Sequence, residues 1–287
     1  MVRVKIDVIE KDSVKIYNMV HFTNGTPFFS VASFLIDGLL IDCGSQNAKD
    51  EFLKVLNFDE IDKCILTHHH EDHIGACYDI INKHKIPIYA NRLTAFLISV
   101  KMRLPSERLF TSGAPKPCKV HELTSLKEIK TRNDKLKIIP SPGHCNNHLS
   151  FYHEEKRFLF SADSFIEKNV ISNWENANLM LETTKFFLKL NPTLIFSSDS
   201  NIFTPDNLKK FITYWTDIKE QSIKLFKQGL KPRQIVKRIF GKESFVKIAT
   251  KGDVSRENLV RSLLGLEPIY NQRFSRNKKD PYFGLFF

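Results

Sequence analysis

The chain has 287 residues, of which 42% are hydrophobic, and its formal net charge is +11 at pH 7. It has no apolar run near the roughly 20 residues of a membrane-spanning helix and no signal-peptide core at its N-terminus, so we predict a cytoplasmic protein without a membrane span. The five cysteines are scattered and form no CxxC pair, which argues against a structural zinc site and a disulfide framework.

The positive charge is concentrated towards the C-terminus. Residues 204–287 contain 18 Lys and Arg against 8 Asp and Glu, whereas the first 203 residues contain 25 against 24. This balance suggests an acidic partner such as a nucleic acid, although a solvated helical face explains it equally well. We predict two domains, 1–203 and a basic helical extension at 204–287.

The first 60 residues read as strands followed by a short helix. Alternating apolar and polar residues predict strands at 2–9 and 14–20. A hairpin is predicted at 30–41, where Asp37-Gly38 suits a type I′ turn. An amphipathic pattern then predicts a helix at 48–56.

The most informative stretch is residues 67–75, which read THHHEDHIG. Four of the ten histidines fall within six residues of this stretch, between a predicted buried strand at 61–66 and a predicted helix at 74–85. In such a turn, His68 and His70 can point to the same place, and Asp72 and His73 can point to a neighbouring one. The result is two adjacent clusters of imidazole and carboxylate, which are suitable ligands for zinc, iron or manganese.

Two further predicted strands are followed directly by polar residues. A strand at 136–139 leads into Ser141-Pro142-Gly143-His144, and a strand at 158–160 leads into Asp163. Residues 101–119 look irregular and read either as a lid or substrate loop or as an insertion without a role. The other predicted elements are strands at 86–90, 149–152 and 194–196 and helices at 93–100, 178–190, 204–228, 232–240 and 255–264. Thr204 and Pro205 are expected to be the N-cap and the first residue of the helix at 204–228.

Four motifs occur together in the order found in one known family. The HxHxDH pattern at 68–73 follows an apolar strand, and the other three motifs are LIDCG at 40–44, SPGH at 141–144 and FSAD at 160–163. Over about residues 1–203 the chain therefore resembles the metallo-β-lactamase superfamily. The resemblance implies an α/β fold, a four-layer αβ/βα sandwich with metals at one edge. The α-helical C-terminal extension is similar to those of glyoxalase II, thioesterase-like, ribonuclease-like and quinolone-signalling members.

The resemblance also implies which residues bind metal. It gives the first metal to His68, His70 and His144, places Asp163 between two metals, and gives the second metal to Asp72 and His73. Relatives carry a last histidine where this chain has Asp199, which is either an oxygen ligand of the second metal or a turn residue. Two more residues would lie near the metals without binding them: Asp42, which fixes loop geometry, and His148, which could equally be an ordinary residue at a strand end.

The implied activity is metal-dependent hydrolysis. Two divalent ions, zinc as first choice with iron or manganese as alternatives, would supply a metal-bound hydroxide, and Asp72 would accept or pass on a proton. Asp199 in place of histidine would make the centre neutral, which favours a small ester, thioester or lactone substrate over a phosphodiester. One alternative is an endoribonuclease or nucleotide phosphodiesterase that binds nucleic acid through the basic extension. Another is a low-turnover regulatory protein on this scaffold, and a homo-oligomer is compatible with either.

Overall fold

The structure is a computed structural model that describes residues 2–125 and 127–268. The end of the predicted basic extension, residues 269–287, lies outside the described residues. The chain forms two compact units, and the first consists of Met1–Pro140, Asn147–Asp163 and Thr193–Phe203. The second unit consists, among the described residues, of Ser141–Asn146, Ser164–Pro192 and 204–268. Within the described residues, no helix is long and apolar enough to cross a membrane.

The first unit begins with a seven-stranded sheet whose strands lie in chain order. Neighbours among the first four strands are antiparallel, and the last three strands each run parallel to the strand before them. The strands are β1 (Arg3–Lys11), β2 (Val14–Thr23), β3 (Thr26–Ile36), β4 (Leu39–Ile41), β5 (Lys63–Ile65), β6 (Ile88–Ala90) and β7 (His121–Glu122).

The predicted hairpin at 30–41 is confirmed, as β3 and β4 pair across Asp37-Gly38. Both turn residues have positive φ, 44° at Asp37 and 79° at Gly38, as a type I′ turn requires. Strand β3 begins earlier than predicted, at Thr26, because Asn24 and Gly25 alone make the preceding turn with φ of 49° and 79°.

The described part of the first unit contains four α-helices. They are α1 (Lys49–Val55), α2 (Cys77–His84), α3 (Arg92–Ile98) and α4 (Ser106–Thr111). Phe52 of α1, Ile80 of α2 and Ile98 of α3 are buried in one cluster with apolar residues of the first sheet, so these helices cover one of its faces. Helix α4 lies inside the segment 101–119, which the sequence predicted to be irregular.

The second sheet of the first unit has six strands in the order β14-β13-β11-β10-β9-β8. Phe151, Phe160 and Phe196 from this sheet share a buried cluster with Phe34 and Ile65 of the first sheet, so the two sheets pack face to face. The six strands are β8 (Glu128–Lys130), β9 (Lys135–Pro140), β10 (Leu149–His153), β11 (Phe158–Ala162), β13 (Leu194–Ser197) and β14 (Ile202–Phe203).

The described part of the second unit is mainly helical. Its elements are α5 (Ala177–Lys189), α6 (Pro205–Lys227), α7 (Pro232–Phe240), α8 (Val246–Ala249), α9 (Arg256–Leu263) and the short paired strands β12 (Ile171–Ser172) and β15 (Val254–Ser255). The predicted start of α6 is confirmed: Pro205 is its first residue, and the Thr204 N–H donates to Asn207 Oδ1 at 3.0 Å. Inside the unit, Phe211 packs between Phe165 and Trp215, with ring centroids 5.3 and 4.5 Å away.

Candidate metal centre

The histidine loop, residues 67–75, connects β5 to α2 in the first unit. Its far end is bound to the chain that follows β4: the Gly75 N–H donates to Gly44 O at 2.6 Å and the Ala76 N–H to Cys43 O at 3.1 Å. The Cys77 N–H donates to Ile74 O at 3.1 Å in a tight turn, and α2 begins at Cys77 rather than at the predicted Ile74.

Gly75 is required for this attachment. A Cβ atom at Gly75 would lie 2.1 Å from the carbonyl carbon of Ser45 and 2.2 Å from the Gln46 nitrogen. These are backbone atoms, which cannot turn aside as a flexible side chain would. The small residue therefore lets two backbone segments meet and fixes the histidine loop.

Asp42 organises the start and the end of the histidine loop. Its carboxylate accepts hydrogen bonds from the Thr67 N–H and the Thr67 hydroxyl, both at 2.8 Å. It also contacts His73 Nδ1 at 2.7 Å. A carboxylate that accepts from Nδ1–H leaves the lone pair of Nε2 for a metal, which is the usual support of a metal-binding histidine.

Thr67 extends the same arrangement to His68. The Thr67 hydroxyl gives its single proton to Asp42, so it can only accept from His68 Nδ1, which lies 2.9 Å away. Nδ1 of His68 then carries the proton, and Nε2 presents a lone pair. Asp42 thus sets the tautomer of two histidines, one directly and one through Thr67.

The ligand atoms of the first unit converge in two groups that share Asp163. The ligand atoms of Asp72, His73 and Asp163 all lie within 4.8 Å of one another, and so do those of His68, His70 and Asp163. Oδ2 of Asp163 lies 3.8 Å from His68 Nε2, whereas its Oδ1 lies 3.3 Å from His73 Nε2. Each carboxylate oxygen therefore faces a different group.

These separations fit a divalent cation in each group. Around a tetrahedral zinc ion with bonds of about 2.0–2.1 Å, neighbouring ligand atoms lie about 3.3 Å apart. His73 Nε2 is buried and makes no hydrogen bond within the described residues, although it faces Asp163 at 3.3 Å and Asp72 at 3.8 Å. A buried nitrogen aimed at two carboxylates is better satisfied by a shared cation.

The charges of the group formed by Asp72, His73 and Asp163 also favour a bound cation. Burial disfavours a charged imidazole, but the carboxylates of Asp163, Asp72 and Asp42 raise the pKa of His73 well above its ordinary value. Burial also raises the pKa of Asp72 to about 6, although His73 acts in the opposite direction. Without a metal the group therefore holds a proton, which is the electrostatic condition that also attracts a cation.

His144 lies in the second unit, in the turn at Ser141–Asn146. The preceding Gly143 has φ of 132°, and a Cβ atom there would lie 2.6 Å from the Met180 nitrogen. Nδ1 of His144 lies 2.7 Å from Glu175 Oε1. A partner on Nδ1 leaves Nε2 as the ligand atom, as Asp42 does for His73.

Glu175 is a functional residue that the sequence analysis missed. Its carboxylate is buried, and it also accepts from Lys168 Nζ at 2.6 Å and from the Ser172 N–H at 2.7 Å. Burial opposes its ionisation, but the Lys168 ammonium and the hydrogen bond from His144 lower the pKa of Glu175 to about 2. Glu175 therefore stays ionised and fixes the His144 ring. No local motif marks it, because its partner lies 31 residues away in the sequence.

His148 is buried beside the histidine loop, and its ring centroid lies 4.9 Å from that of His68. Among the described residues it belongs to neither convergent group. Whether His148 lies near bound metals or is an ordinary residue at a strand end stays open.

Asp199 lies in the turn between β13 and β14. Its Oδ1 accepts from the Asn201 N–H at 3.2 Å and its Oδ2 from Asn201 Nδ2 at 2.8 Å. Neither convergent group of described residues includes it. Its neighbour Ser198 instead donates its hydroxyl to Asp163 Oδ1. Each Asp199 oxygen keeps a further lone pair, so the role of Asp199 as a ligand stays a prediction.

The chain belongs to the metallo-beta-lactamase superfamily, whose sequence model matches residues 26–198. This membership confirms the resemblance and defines the class of the protein, a metallo-hydrolase on an α/β fold with two sheets. The C-terminal helices are present in addition to this fold, as the sequence predicted.

Among curated proteins, the chain is similar to a probable metallo-hydrolase, YybB, of Bacillus subtilis, with 24% identity over 196 residues that cover 64% of this chain and 87% of that protein. It is also similar to the hydroxyacylglutathione hydrolase of Buchnera aphidicola, with 28% identity over 179 residues that cover 61% of each chain. Among solved structures, a metallo-beta-lactamase family protein of Thermus thermophilus has a TM-score of 0.56 at 15% identity, covering 93% of this chain and 92% of that one. At this identity the structural match shows the fold alone.

Proposed function

We propose that this protein hydrolyses an ester, thioester or lactone bond with the help of two divalent cations, zinc as first choice. One observation carries the proposal: Asp163 directs Oδ2 towards His68 and Oδ1 towards His73, so a single carboxylate serves two ligand groups. Two cations held side by side would lower the pKa of a bound water to about 7 and polarise the substrate carbonyl.

Each proposed ligand has a role in this scheme. His68, His70 and His144 would hold one cation, with Thr67 and Glu175 fixing the rings of His68 and His144. Asp72 and His73 would hold the other, with Asp42 fixing His73. Asp199, whose carboxylate accepts two hydrogen bonds from Asn201, would be a further ligand of the second group.

Asp72 is the residue that we assign to proton transfer. Its side chain is 18% exposed, whereas that of His73 is fully buried, so Asp72 connects the group to solvent. Burial raises the pKa of Asp72 to about 6 in the metal-free protein, and bound cations would lower it and so keep the carboxylate ready to accept a proton.

The comparisons support a carbonyl substrate. One similar protein is named a hydroxyacylglutathione hydrolase, and a hydroxyacylglutathione is a thioester. The alternative of a phosphodiester substrate is supported by the basic charge of residues 204–287.

The test is hydrolysis by the zinc-loaded protein of three probes: a glutathione thioester, p-nitrophenyl acetate and bis(p-nitrophenyl) phosphate. We expect turnover of the first two and loss of it in His68→Ala. His69→Gln is the matched control, because His69 lies in the same loop outside both convergent groups of described residues. Turnover of the phosphodiester alone would favour the nuclease alternative. Tight zinc binding without turnover of any probe would favour a regulatory protein.

A further inference from the structure

Glu71 is a buried carboxylate in the histidine loop that has no part in the proposed hydrolysis. It lies between His70 and Asp72 in the sequence, its side chain is only 3% exposed, and it belongs to neither convergent group of described residues. Its partner is Arg108 of α4: Nε donates to Oε1 at 2.8 Å, and Nη2 donates to Oε2. Two parallel hydrogen bonds fix the plane of the carboxylate as well as its position.

Helix α4 is also attached beside the histidine loop, through Asn47. The Asn47 side-chain amide donates to Phe110 O at 2.9 Å and to Thr111 O at 3.0 Å. The Asn47 N–H donates to Ser112 O at 2.9 Å. Asn47 lies two residues after Ser45, whose backbone contacts Gly75 at the end of the histidine loop. The Arg108 and Asn47 contacts thus hold one short helix against the histidine loop and the segment that fixes its end.

A contribution to stability does not by itself explain why Glu71 and Arg108 form this ion pair. Removing a carboxylate and a guanidinium from water costs free energy that their attraction only partly returns, so an apolar pair would stabilise α4 as well. A forked ion pair differs from an apolar pair in its directionality. The two directional hydrogen bonds orient Glu71, the residue between the proposed ligands His70 and Asp72.

We infer that Arg108 is a positioning residue of the metal centre. By holding Glu71 it keeps His70 and Asp72 in the orientations that bind two cations, and it makes the docking of α4 depend on cation binding. This inference rests on the proposed metal sites. Because coupling between two equilibria is reciprocal, cations must stabilise the docked α4 by the same free energy by which docked α4 strengthens cation binding.

The first test is zinc affinity, measured by competition with a chelating dye, for wild-type protein, Arg108→Met and Arg108→Lys. We expect Arg108→Met to bind at least one zinc ion about 10–100-fold more weakly, as is typical when a support of a metal ligand is lost. Arg108→Lys should fall in between, because it keeps the charge and loses the fork. Arg132→Met is the matched control: it removes another forked pair of the first unit, with Asp62 at 2.9 and 2.7 Å, at the opposite end of β5.

The second test separates positioning from a merely structural role. Zinc should slow hydrogen exchange of the α4 amides in the wild-type protein and have no such effect in Arg108→Met, whereas a structural role would change exchange equally with and without zinc. If Arg108→Met does not fold, Glu71→Gln/Arg108→Met removes the unpaired buried charge and should give the same two results. The inference would be overturned if these variants bound zinc as tightly as the wild-type protein. It would also be overturned if zinc did not change the hydrogen exchange of the α4 amides in the wild-type protein. Neither readout requires turnover, so a protein that binds zinc and hydrolyses nothing contradicts only the proposed function.

Discussion

The carboxylate of Asp42 lies 2.7 Å from Nδ1 of His73, and both side chains are buried. The same carboxylate accepts two hydrogen bonds from Thr67 at the start of that loop. One residue of the β4 end therefore connects both ends of the histidine loop and sets which nitrogen of His73 faces the metal groups.

Asp42→Asn should weaken zinc binding about 10–100-fold, because an amide can present its N–H to Nδ1 and so favour the wrong tautomer. Competition with a chelating dye measures this effect. Asp37→Asn is the matched control, since Asp37 also accepts several hydrogen bonds but holds the 131–134 turn instead. Equal zinc affinities in wild type and Asp42→Asn would contradict the assigned role.

Gly75→Ala should destabilise the protein by about 1–3 kcal/mol and lower its zinc content, because the new methyl group would meet backbone at 2.1 Å. Gly229→Ala serves for comparison: its φ is +88° but nothing lies within 4 Å of the added atom. We expect the control to lose stability without losing zinc. Denaturant unfolding and metal analysis measure the two effects, and a Gly75→Ala protein with normal zinc content would refute this reading.

The hydrogen bonds of Asp37 lead us to predict that the stability of the metal-free protein depends on pH. Burial opposes ionisation of Asp37, but hydrogen bonds from Thr131, Asn133 and Asp134 lower its pKa below the ordinary value. A carboxyl whose pKa is lower in the folded state stabilises the fold above its unfolded pKa, and this stabilisation is lost as the pH falls through the folded pKa.

We therefore expect the difference in unfolding free energy between wild type and Asp37→Asn to be largest above about pH 4, near the ordinary pKa of aspartate, and to shrink in more acidic solution. Denaturant titrations in the presence of EDTA, repeated at several pH values, measure it. Asp50→Asn, in which the replaced carboxylate is 81% exposed, controls for the loss of one surface charge. A difference that is constant with pH would disprove the assignment.

Asp199→Ala tests the position where this chain differs from its relatives. Since Asp199 belongs to neither convergent group of described residues, we expect the variant to lose less than about tenfold in affinity for the weaker zinc, whereas loss of Asp72 should cost more. Titration of both variants with zinc decides the question. A loss as large as that of Asp72→Ala would show that Asp199 binds the cation, which is one of the two roles that the sequence leaves open.

Local patterns explain why much of the fold could be predicted from the sequence. The Asp37-Gly38 turn and the Thr204-Pro205 helix start each depend on residues adjacent in the chain, and both are confirmed. The start of α2 could not be predicted, because Gly75 and Ala76 bind Gly44 and Cys43, which stand far earlier in the chain, and no local pattern marks this contact.

The residues that support the proposed ligands could not be predicted either, because their contacts are also between distant parts of the chain. Glu175 and Arg108 contact partners 31 and 37 residues away, and each stands in a stretch with no motif of its own. The pattern of histidines and aspartates identified candidate ligands, but only the folded chain shows which side chains hold them.

The proposal that Asp163 joins two cation sites is tested most directly by anomalous diffraction from zinc-soaked crystals. We predict two zinc peaks, one about 2.0–2.2 Å from each Asp163 oxygen, with His68 and His70 at the first and Asp72 and His73 at the second. A single peak, or two peaks that Asp163 does not touch, would contradict this proposal.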